Sequence, residues 1–277
     1  MAARETADEM SFWDHIDALR KVLVQSSLVI LGVSILFFSF MKTLFDQVIL
    51  APTSSDFIMY RWLCQLSETY AFLPNMCHPF RVELVSYNLN SQFFIHMTSS
   101  VWISLVVTFP IVIYLIWNFV SPALYDHEKQ NARWAFLFGN AMFYLGLVVG
   151  YFVIFPMTLR FLATYQVSEM VPNMISLDSY MSSFLTQIFV MGLVFEMPLL
   201  CWVLSGMGLL RRSFFRTYRR YAFVVLLIIA AIITPADPFS MILMFIPLFL
   251  LYEGSAFIVK EDEPEVASTT ALTETSL

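Results

Sequence analysis

Long apolar runs separated by shorter polar segments dominate the pattern of the chain. A transmembrane helix needs about 20 mostly apolar residues to cross a hydrocarbon core of about 30 Å. Four runs meet this requirement, and two further runs of 14 residues follow them, joined by the four-residue turn 235–238. The six runs are 22–41, 94–120, 134–156, 183–205, 221–234 and 239–252. The pattern therefore predicts an all-α polytopic membrane protein with six spans, the last two forming a short hairpin.

The chain divides into three predicted parts. Residues 1–21 contain SFWDHIDALRK, in which apolar and charged positions recur with helical spacing, so this part is predicted to be an amphipathic helix lying along the cytoplasmic membrane surface. Residues 22–259 are predicted to form the six-span membrane domain. Residues 260–277 are acidic and rich in Ser and Thr, and they are predicted to be a disordered cytoplasmic tail.

Four polar segments connect the first five runs, and Lys and Arg are concentrated in alternate ones. The segments are a long one at 42–92, a short turn at 121–133, a second long one at 157–182 and a basic one at 206–220. Eleven of the fifteen Lys and Arg residues lie on the same side as the N-terminus. Because Lys and Arg are retained on the cytoplasmic side during insertion, both ends of the chain are predicted to be cytoplasmic and 42–92 and 157–182 to be outer loops.

Composition supports a protein that faces lipid. The chain is 59% hydrophobic and only 13% charged, whereas a soluble domain has roughly 25% charged residues. A sequence pI of about 5.2 and the lack of a long basic run argue against a nucleic-acid-binding protein. The sequence contains no G-x-S-x-G motif, phosphate loop or cluster with metal-ligand spacing, so we predict no enzyme activity, no cofactor and no metal.

Two cysteines share the first predicted outer loop. Cys64 and Cys77 would close a small disulfide if that loop faces an oxidising compartment. Two unrelated thiols are an equally good interpretation of the sequence.

Glu196 interrupts the fourth apolar run. An ionised carboxylate facing lipid would cost at least a few kcal/mol, so Glu196 is expected to face the bundle interior or a wet cavity. The functional interpretation is a polar point in a substrate groove or proton path. The structural alternative is an internal hydrogen bond.

The turn SPALYDHEKQ carries Asp126 and Glu128 beside Tyr125, on the side that should be basic. Acidic side chains in this place suggest a site for a cationic ligand. A pair of arginines would suit it, because each guanidinium can donate two hydrogen bonds to one carboxylate. By spacing alone, a solvated surface turn is the favoured interpretation of the segment.

The turn between the last two runs is rigid, because Pro235 and Pro238 flank it. Asp237 in this turn can cap the helix that follows, and Thr234 precedes it. Both residues are candidates for a structural role or a partner contact.

Taken in order along the chain, seven segments resemble the TatC family, the polytopic subunit of the twin-arginine protein translocase. They are FWDHIDALRK, APT at 51–53, VIYLIWNFVSPALYDHEK, GYFVIFP, FVMGLVFEMPLL, RRYAFVVLLIIAAIITPADPFS and IPLFLLYE. The resemblance extends from about Ser11 to Phe257.

The resemblance implies a receptor in the bacterial cytoplasmic (inner) membrane for signal peptides of folded cargo that carry a twin-arginine motif. The implied partners are single-span TatB- and TatA-type subunits and further copies of the chain, within a hetero-oligomeric receptor complex driven by the proton-motive force. A proton-coupled small-solute carrier using Glu196 is the alternative function.

The resemblance also assigns individual residues. Glu128 matches the acidic contact for the arginine pair, and Glu196 matches the intramembrane glutamate of the family. The remaining matched positions are Phe119, Pro122, Leu124 and Tyr125 in the recognition loop, Arg20 near the N-terminus, Pro52 in the first outer loop and Asp237 in the last outer turn.

The chain departs from the family pattern near its N-terminus, where Ala18 replaces a usual glutamate. Asp14, one helical turn away, or the adjacent Asp17 is expected to replace the missing acid. Asp126 and Gln130 stand at commonly basic positions. Met241 stands where the family has a polar residue proposed to contact a partner helix.

Overall fold

The fold of the chain is almost entirely helical. The computed structural model describes residues 12–69, 77, 80, 82–120, 126–168, 170, 173–206, 209–235 and 237–259, with the side chains of 12–15, 120 and 126–135 excepted. The α-helices in these residues are α1 (Phe12–Leu44), α2 (Ile58–Thr69), α3 (Ser91–Val120), α4 (Asp126–Val149), α5 (Phe155–Thr164), α6 (Leu177–Val194), α7 (Met197–Gly206), α8 (Arg212–Ile233) and α9 (Pro238–Ile258).

Five helical stretches of the described residues are long and apolar enough to cross a membrane. They are Ile16–Thr53, Ser91–Phe119, Phe136–Thr164, Leu177–Gly206 and Pro238–Ile258. The third combines α4 and α5 through a π-helical turn, Gly150–Ile154. The helix α8 is not among them, since Arg216, Arg219 and Arg220 lie in its last 18 residues. Its apolar part is the shorter segment after Arg220.

The helices extend further than the apolar runs predict. The helix α1 is continuous for 33 residues across the predicted boundary at 21–22, so the amphipathic segment and the first span form one helix. No Gly or Pro interrupts residues 12–31, and intrahelical hydrogen bonding therefore continues from the polar into the apolar part.

The predicted loops are correspondingly shorter. The turn predicted at 121–133 is helical from Asp126 onwards, and the basic segment 206–220 is helical from Arg212. The second predicted outer loop, 157–182, is helical up to Thr164 and again from Leu177. The last two helices have 22 and 21 residues instead of 14. Hydropathy marks only the apolar part of a helix, and polar residues extend it at either end.

The bundle has two distinct ends. At the N-terminal end, α1, α4 and α8 begin and α3, α7 and α9 end. At the opposite end, which we call the capped end, lie residues 45–90, residues 165–176 and the turn between α8 and α9.

Local structure fills the capped end. The π-helical turn Phe45–Ile49, the 3-10 turn Ala51–Thr53 and α2 lie in the first predicted outer loop. Two short strands, β1 (Leu84–Val85) and β2 (Ile175–Ser176), pair in parallel and tie this loop to the second one. This pairing is a small exception to the predicted all-α fold. Cys64 and Cys77 form a disulfide, which is one of the two alternatives left open by the sequence.

Buried tyrosines attach the capped end to the spans. The Tyr60 hydroxyl lies 3.1 Å from the Pro52 carbonyl oxygen and 3.0 Å from that of Pro156. Tyr151 donates to the Val48 carbonyl oxygen at 2.9 Å, and Tyr180 donates to that of Ile49. The bonds to Val48, Ile49 and Pro52 give partners to backbone carbonyls of the irregular turns, and the bond to Pro156 joins α2 to the start of α5.

Glycines allow α4 and α6 to pack closely. A Cβ atom at Gly146 would lie 2.5 Å from the Met191 carbonyl oxygen, and one at Gly192 would lie 2.8 Å from the Phe143 ring. Close backbone approach through small residues is a common way for membrane helices to associate. It places α6, and the break that follows it, firmly against α4.

Candidate functional site

The pairing of α1 with α3 places the first group of predicted residues. His96 Nε2 lies 2.9 Å from the Phe38 carbonyl oxygen, and Ser104 Oγ donates to the Ile30 carbonyl oxygen at 2.7 Å. The two contacts share one antiparallel register, since Ser104 lies eight residues after His96 and Ile30 lies eight residues before Phe38. Continued to the N-terminal end, this register brings Asp17 level with the last turn of α3.

The predicted residues of α1 face solvent at this end. The side chains of Asp17 and Arg20 are exposed, and Ala18 between them is half-buried. Phe119 is half-buried at the end of α3. The N-terminal end therefore carries a water-exposed carboxylate near the point where α3 ends.

Part of the predicted recognition loop lies outside the described residues. Pro122, Leu124 and Tyr125 belong to segment 121–125. Glu128 lies in the first turn of α4, and Asp14 lies near the start of α1; only their backbones are described. The first turn of a helix is a favourable place for acidic residues such as Asp126 and Glu128, because its free N–H groups carry partial positive charge.

Glu196, which interrupts the fourth apolar run, lies at a break between α6 and α7. The break spans Phe195 and Glu196, and Pro198 follows in the first turn of α7. Proline lacks an N–H and clashes with the carbonyl four residues earlier, so the helix cannot pass through this point unchanged. The end of α7 is ten residues further on, which places Glu196 about 15 Å inside the bundle.

The Glu196 carboxylate packs against α4. A Cβ atom at Gly139 would lie 3.1 Å from Glu196 Oε2 and 2.6 Å from Leu199 Cδ2. The Glu196 side chain is half-buried, and its Oε1 atom is buried without a hydrogen-bond partner among the described residues. The geometry leaves an acidic oxygen that can accept a bond from a polar group entering the bundle.

The third group of predicted residues lies at the capped end. Asp237 Oδ2 accepts from the Ser240 N–H at 2.7 Å and caps α9, as predicted. Thr234 is buried, and its hydroxyl donates to the Ala230 carbonyl oxygen at 3.0 Å. Pro52 is buried and bonds to Tyr60 through its carbonyl oxygen. These contacts give all three residues a structural role.

The predicted residues thus lie at three levels and not in one pocket. Charged residues of α1 and the start of α4 are at the N-terminal end, Glu196 is in the interior, and Pro52, Thr234 and Asp237 are at the capped end. Gly139, which shapes the surroundings of Glu196, was not predicted. The sequence around Gly139 does not indicate this contact, because Glu196 is 57 positions away.

The chain is similar to known proteins in sequence. The family model described as "Sec-independent protein translocase protein (TatC)" matches residues 14–247. The Sec-independent protein translocase protein TatC of Blattabacterium sp. subsp. Periplaneta americana (strain BPLAN) is 32% identical over 253 residues, which are 91% of this chain and 95% of that protein. The protein of the same description from Aquifex aeolicus (strain VF5) is 34% identical over 180 residues, which are 65% of this chain and 75% of that protein.

Two solved structures share the fold. One, described as "Crystal Structure of Twin Arginine Translocase Receptor- TatC", has a TM-score of 0.70 and 30% identity and covers 88% of this chain and 97% of that chain. The second, the same receptor in DDM, has a TM-score of 0.71 and 30% identity and covers 89% of this chain and 99% of that chain. The family match, the similar sequences and the shared fold together establish that this multi-pass membrane protein belongs to the TatC family of Sec-independent protein translocase proteins.

Proposed function

We propose that the chain is the signal-peptide receptor and core subunit of a twin-arginine translocase in the bacterial cytoplasmic membrane. The observation that carries this proposal is the match, over 88% of the chain, to a structure described as a twin arginine translocase receptor. In this proposal the N-terminal end faces the cytoplasm, the capped end faces outward, and the apolar part of α8 is the fifth of six spans.

Capture of the arginine pair is assigned to the N-terminal end. Glu128, in the first turn of α4, accepts one guanidinium, and the exposed Asp17 supplies the carboxylate that Ala18 lacks. A guanidinium is a planar fork of donors that matches a carboxylate, whereas the ammonium of lysine is a point charge. Leaders with Arg-Arg are therefore expected to bind more tightly than leaders with Lys-Lys.

Glu196 is assigned to a later step. Its Oε1 atom, which has no hydrogen-bond partner among the residues that the structure describes, lies about 15 Å inside the bundle from the end of α7, too far from the surface to share a single ligand group with Asp17. We propose that it receives a polar group of the inserting leader or of a single-span TatA- or TatB-type partner helix. Transport is then driven by the proton-motive force, within an oligomer of receptor and partner subunits.

The test supplies each variant as the only subunit of this type and measures export of a folded reporter with a twin-arginine leader. Glu128→Ala should weaken leader binding by roughly tenfold or more, since a hydrogen bond to a charged group is lost, and export should fall with it. Glu196→Ala should block export while leaving leader binding intact. Immunoblots of the membrane fraction measure the amount of each variant.

The control is Asp56→Ala, which removes an exposed carboxylate at the capped end and should export normally. A Lys-Lys leader serves as the matched ligand. Normal export by Glu128→Ala at wild-type protein level, or equal binding of both leaders, would refute the assigned recognition face.

A further inference from the structure

Outside the residues assigned above, a small cavity lies at the N-terminal end between the start of α8 and the end of α9. Its volume is about 160 Å³. The lining includes Arg212, Arg216, Arg219, Tyr252, Glu253 and Phe257, a set that we call the arginine pocket. The three arginines are spaced four and three residues apart, so they lie on one face of α8.

Neighbouring side chains hold two of these guanidinium groups in place. Arg219 Nε lies 2.7 Å from Glu253 Oε1, and its guanidinium carbon lies 5.9 Å from the centre of the Phe249 ring. The guanidinium carbon of Arg212 lies 5.6 Å from the centre of the Phe257 ring. Such contacts reduce the freedom that a long side chain would lose when it binds a ligand.

The floor of the arginine pocket is also fixed. The Tyr252 hydroxyl donates to the Phe215 carbonyl oxygen at 3.0 Å, and the Phe215 side chain is buried. This hydroxyl is therefore already bonded within the protein. A ligand therefore meets the rim of the arginine pocket, where the Arg216 side chain is exposed.

Arg216 is the residue of the arginine pocket best placed to bind an anion. Glu253, the acidic residue of the described lining, is paired with Arg219. Among the described residues, no acidic side chain forms a salt bridge with Arg216, which is exposed. Arginine binds phosphate through two parallel hydrogen bonds, so a phosphate group fits this chemistry.

The position and volume of the arginine pocket favour the phosphate of a phospholipid over that of a soluble metabolite. The helix α8 becomes apolar directly after Arg220, and Phe257 at the end of α9 is 73% exposed, so the arginine pocket lies where apolar surface meets charged surface. Phospholipid phosphates lie at this level of a membrane, and basic pockets between membrane helices bind anionic head groups. A cavity of about 160 Å³ is small for a metabolite, whose sites usually measure roughly 300–1,000 Å³.

We propose that the arginine pocket binds the phosphate of an anionic phospholipid, with Arg216 donating to it directly and Phe257 contacting the lipid chain. In the proposed orientation this lipid belongs to the cytoplasmic leaflet. Binding of the lipid requires neither a leader nor a partner subunit. Its failure would therefore leave the proposed receptor function untouched.

The test uses the full chain, purified in detergent and mixed with equal amounts of phosphatidylglycerol and phosphatidylcholine, with retained lipid counted by native mass spectrometry. Wild-type protein should retain phosphatidylglycerol in preference to phosphatidylcholine. Arg216→Gln should reduce retention of phosphatidylglycerol about fivefold, the upper range for an exposed charge pair. Arg216→Lys, which keeps the charge but loses the planar fork, should give an intermediate loss.

The matched control is Arg220→Gln, which removes the same charge from the same helix outside the arginine pocket. It should retain phosphatidylglycerol to within about 1.5-fold of wild type, since Arg220 lies one helical turn from Arg216 but is exposed and does not line the arginine pocket, so only a solvent-screened charge is lost. Equal losses in Arg216→Gln and Arg220→Gln would indicate general attraction to a basic surface and overturn the proposal. Equal retention of the two lipids by wild-type protein, or displacement of phosphatidylglycerol by millimolar inorganic phosphate, would overturn it as well.

Discussion

The two ends of the bundle are built by different physical means. At the capped end, loops are held to spans by buried tyrosine hydroxyls, a disulfide and a strand pair, with contacts such as Tyr151 to Val48 joining residues 103 positions apart. At the N-terminal end, the charged side chains of Asp17, Arg20 and Arg216 are exposed to solvent.

The two ends therefore have different roles: the capped end stabilises the fold, and the N-terminal end is available for ligand binding. Irregular backbone that is buried away from water must have its carbonyl groups satisfied by other protein groups, so buried residues such as Ile49 and Pro52 at the capped end need specific long-range partners. Exposed charges contribute little to folding stability but remain available to a ligand. Substitutions at the capped end should therefore alter stability, and substitutions at the N-terminal end should alter binding.

The largest effect on stability is expected from removing the disulfide. Replacing both Cys64 and Cys77 by Ser opens a loop with a sequence separation of 13. A cross-link closing a loop of about 15 residues contributes about 3 kcal/mol by restricting the unfolded chain. Such a loss lowers the unfolding temperature of a chain of this size by roughly 6–12 °C, which thermal unfolding in detergent would measure.

Reduction of the wild-type protein provides the control for this pair of substitutions. Wild-type protein treated with a reductant should melt at the same temperature as the double variant, and the variant should not respond to the reductant. An unchanged melting temperature in both would mean that the disulfide does not stabilise the capped end.

A smaller loss is expected when Tyr60 is changed to Phe. The hydroxyl bonds to the carbonyl oxygens of Pro52 and Pro156, so its removal takes this partner from the buried Pro52 carbonyl at a cost of about 1–3 kcal/mol. Thermal unfolding of Tyr165→Phe, at a site that is 63% exposed, is the comparison and should be close to that of the wild type. Equal melting temperatures for the two variants would contradict the anchoring role.

The stability of wild-type protein and of Tyr60→Phe should depend differently on pH in the alkaline range. Burial raises the pKa of Tyr60, and the nearby Arg160 guanidinium acts in the opposite direction. An unfolded tyrosine loses its proton near pH 10, whereas the folded Tyr60 keeps it, so the stability present below pH 10 is lost as the pH rises above it. Wild-type protein should lose up to about 1.4 kcal/mol more per pH unit above pH 10 than Tyr60→Phe, as measured by urea unfolding in detergent at fixed pH values.

Much of the architecture is predictable from the sequence because a membrane span is a local feature. Five of the six apolar runs coincide with helical stretches of the described residues that are long and apolar enough to cross a membrane, and Glu196, which interrupts the fourth run, lies at the break between α6 and α7. Polar extensions such as residues 212–220 of α8 are not predicted, since hydropathy does not detect a charged helix. The pairing of Leu84 with Ile175 is a contact across 91 positions, for which two residues of extended chain carry no local pattern.

The candidate site is predictable only as separate residues. Glu196 is a candidate because it is a carboxylate within an apolar run. Glu128 is a candidate because it is an acidic residue in a segment expected to be basic. The cradle at Gly139 and the tyrosine anchors depend on which helices become neighbours, and this is decided by close packing at positions such as Gly146 and Gly192. The sequence therefore predicts the candidate residues, whereas the neighbours that surround them are known only from the fold.

The smallest effect on stability, and the sharpest contrast with the capped end, is expected for Asp17→Asn. The side chain is exposed, so the free energy of unfolding should change by less than about 0.5 kcal/mol. Leader binding should nevertheless weaken by roughly two- to fivefold, since an exposed charge pair is lost.

Adding Ala18→Glu to this variant returns a carboxylate to the same helical turn and should restore affinity for the Arg-Arg leader. Titration of a labelled leader peptide against both variants and against Asp56→Asn measures the effect. If Asp17→Asn binds as the wild type does, the carboxylate that pairs with Glu128 lies elsewhere; if it unfolds at a clearly lower temperature, the N-terminal end is not the solvent-exposed capture surface that this comparison requires.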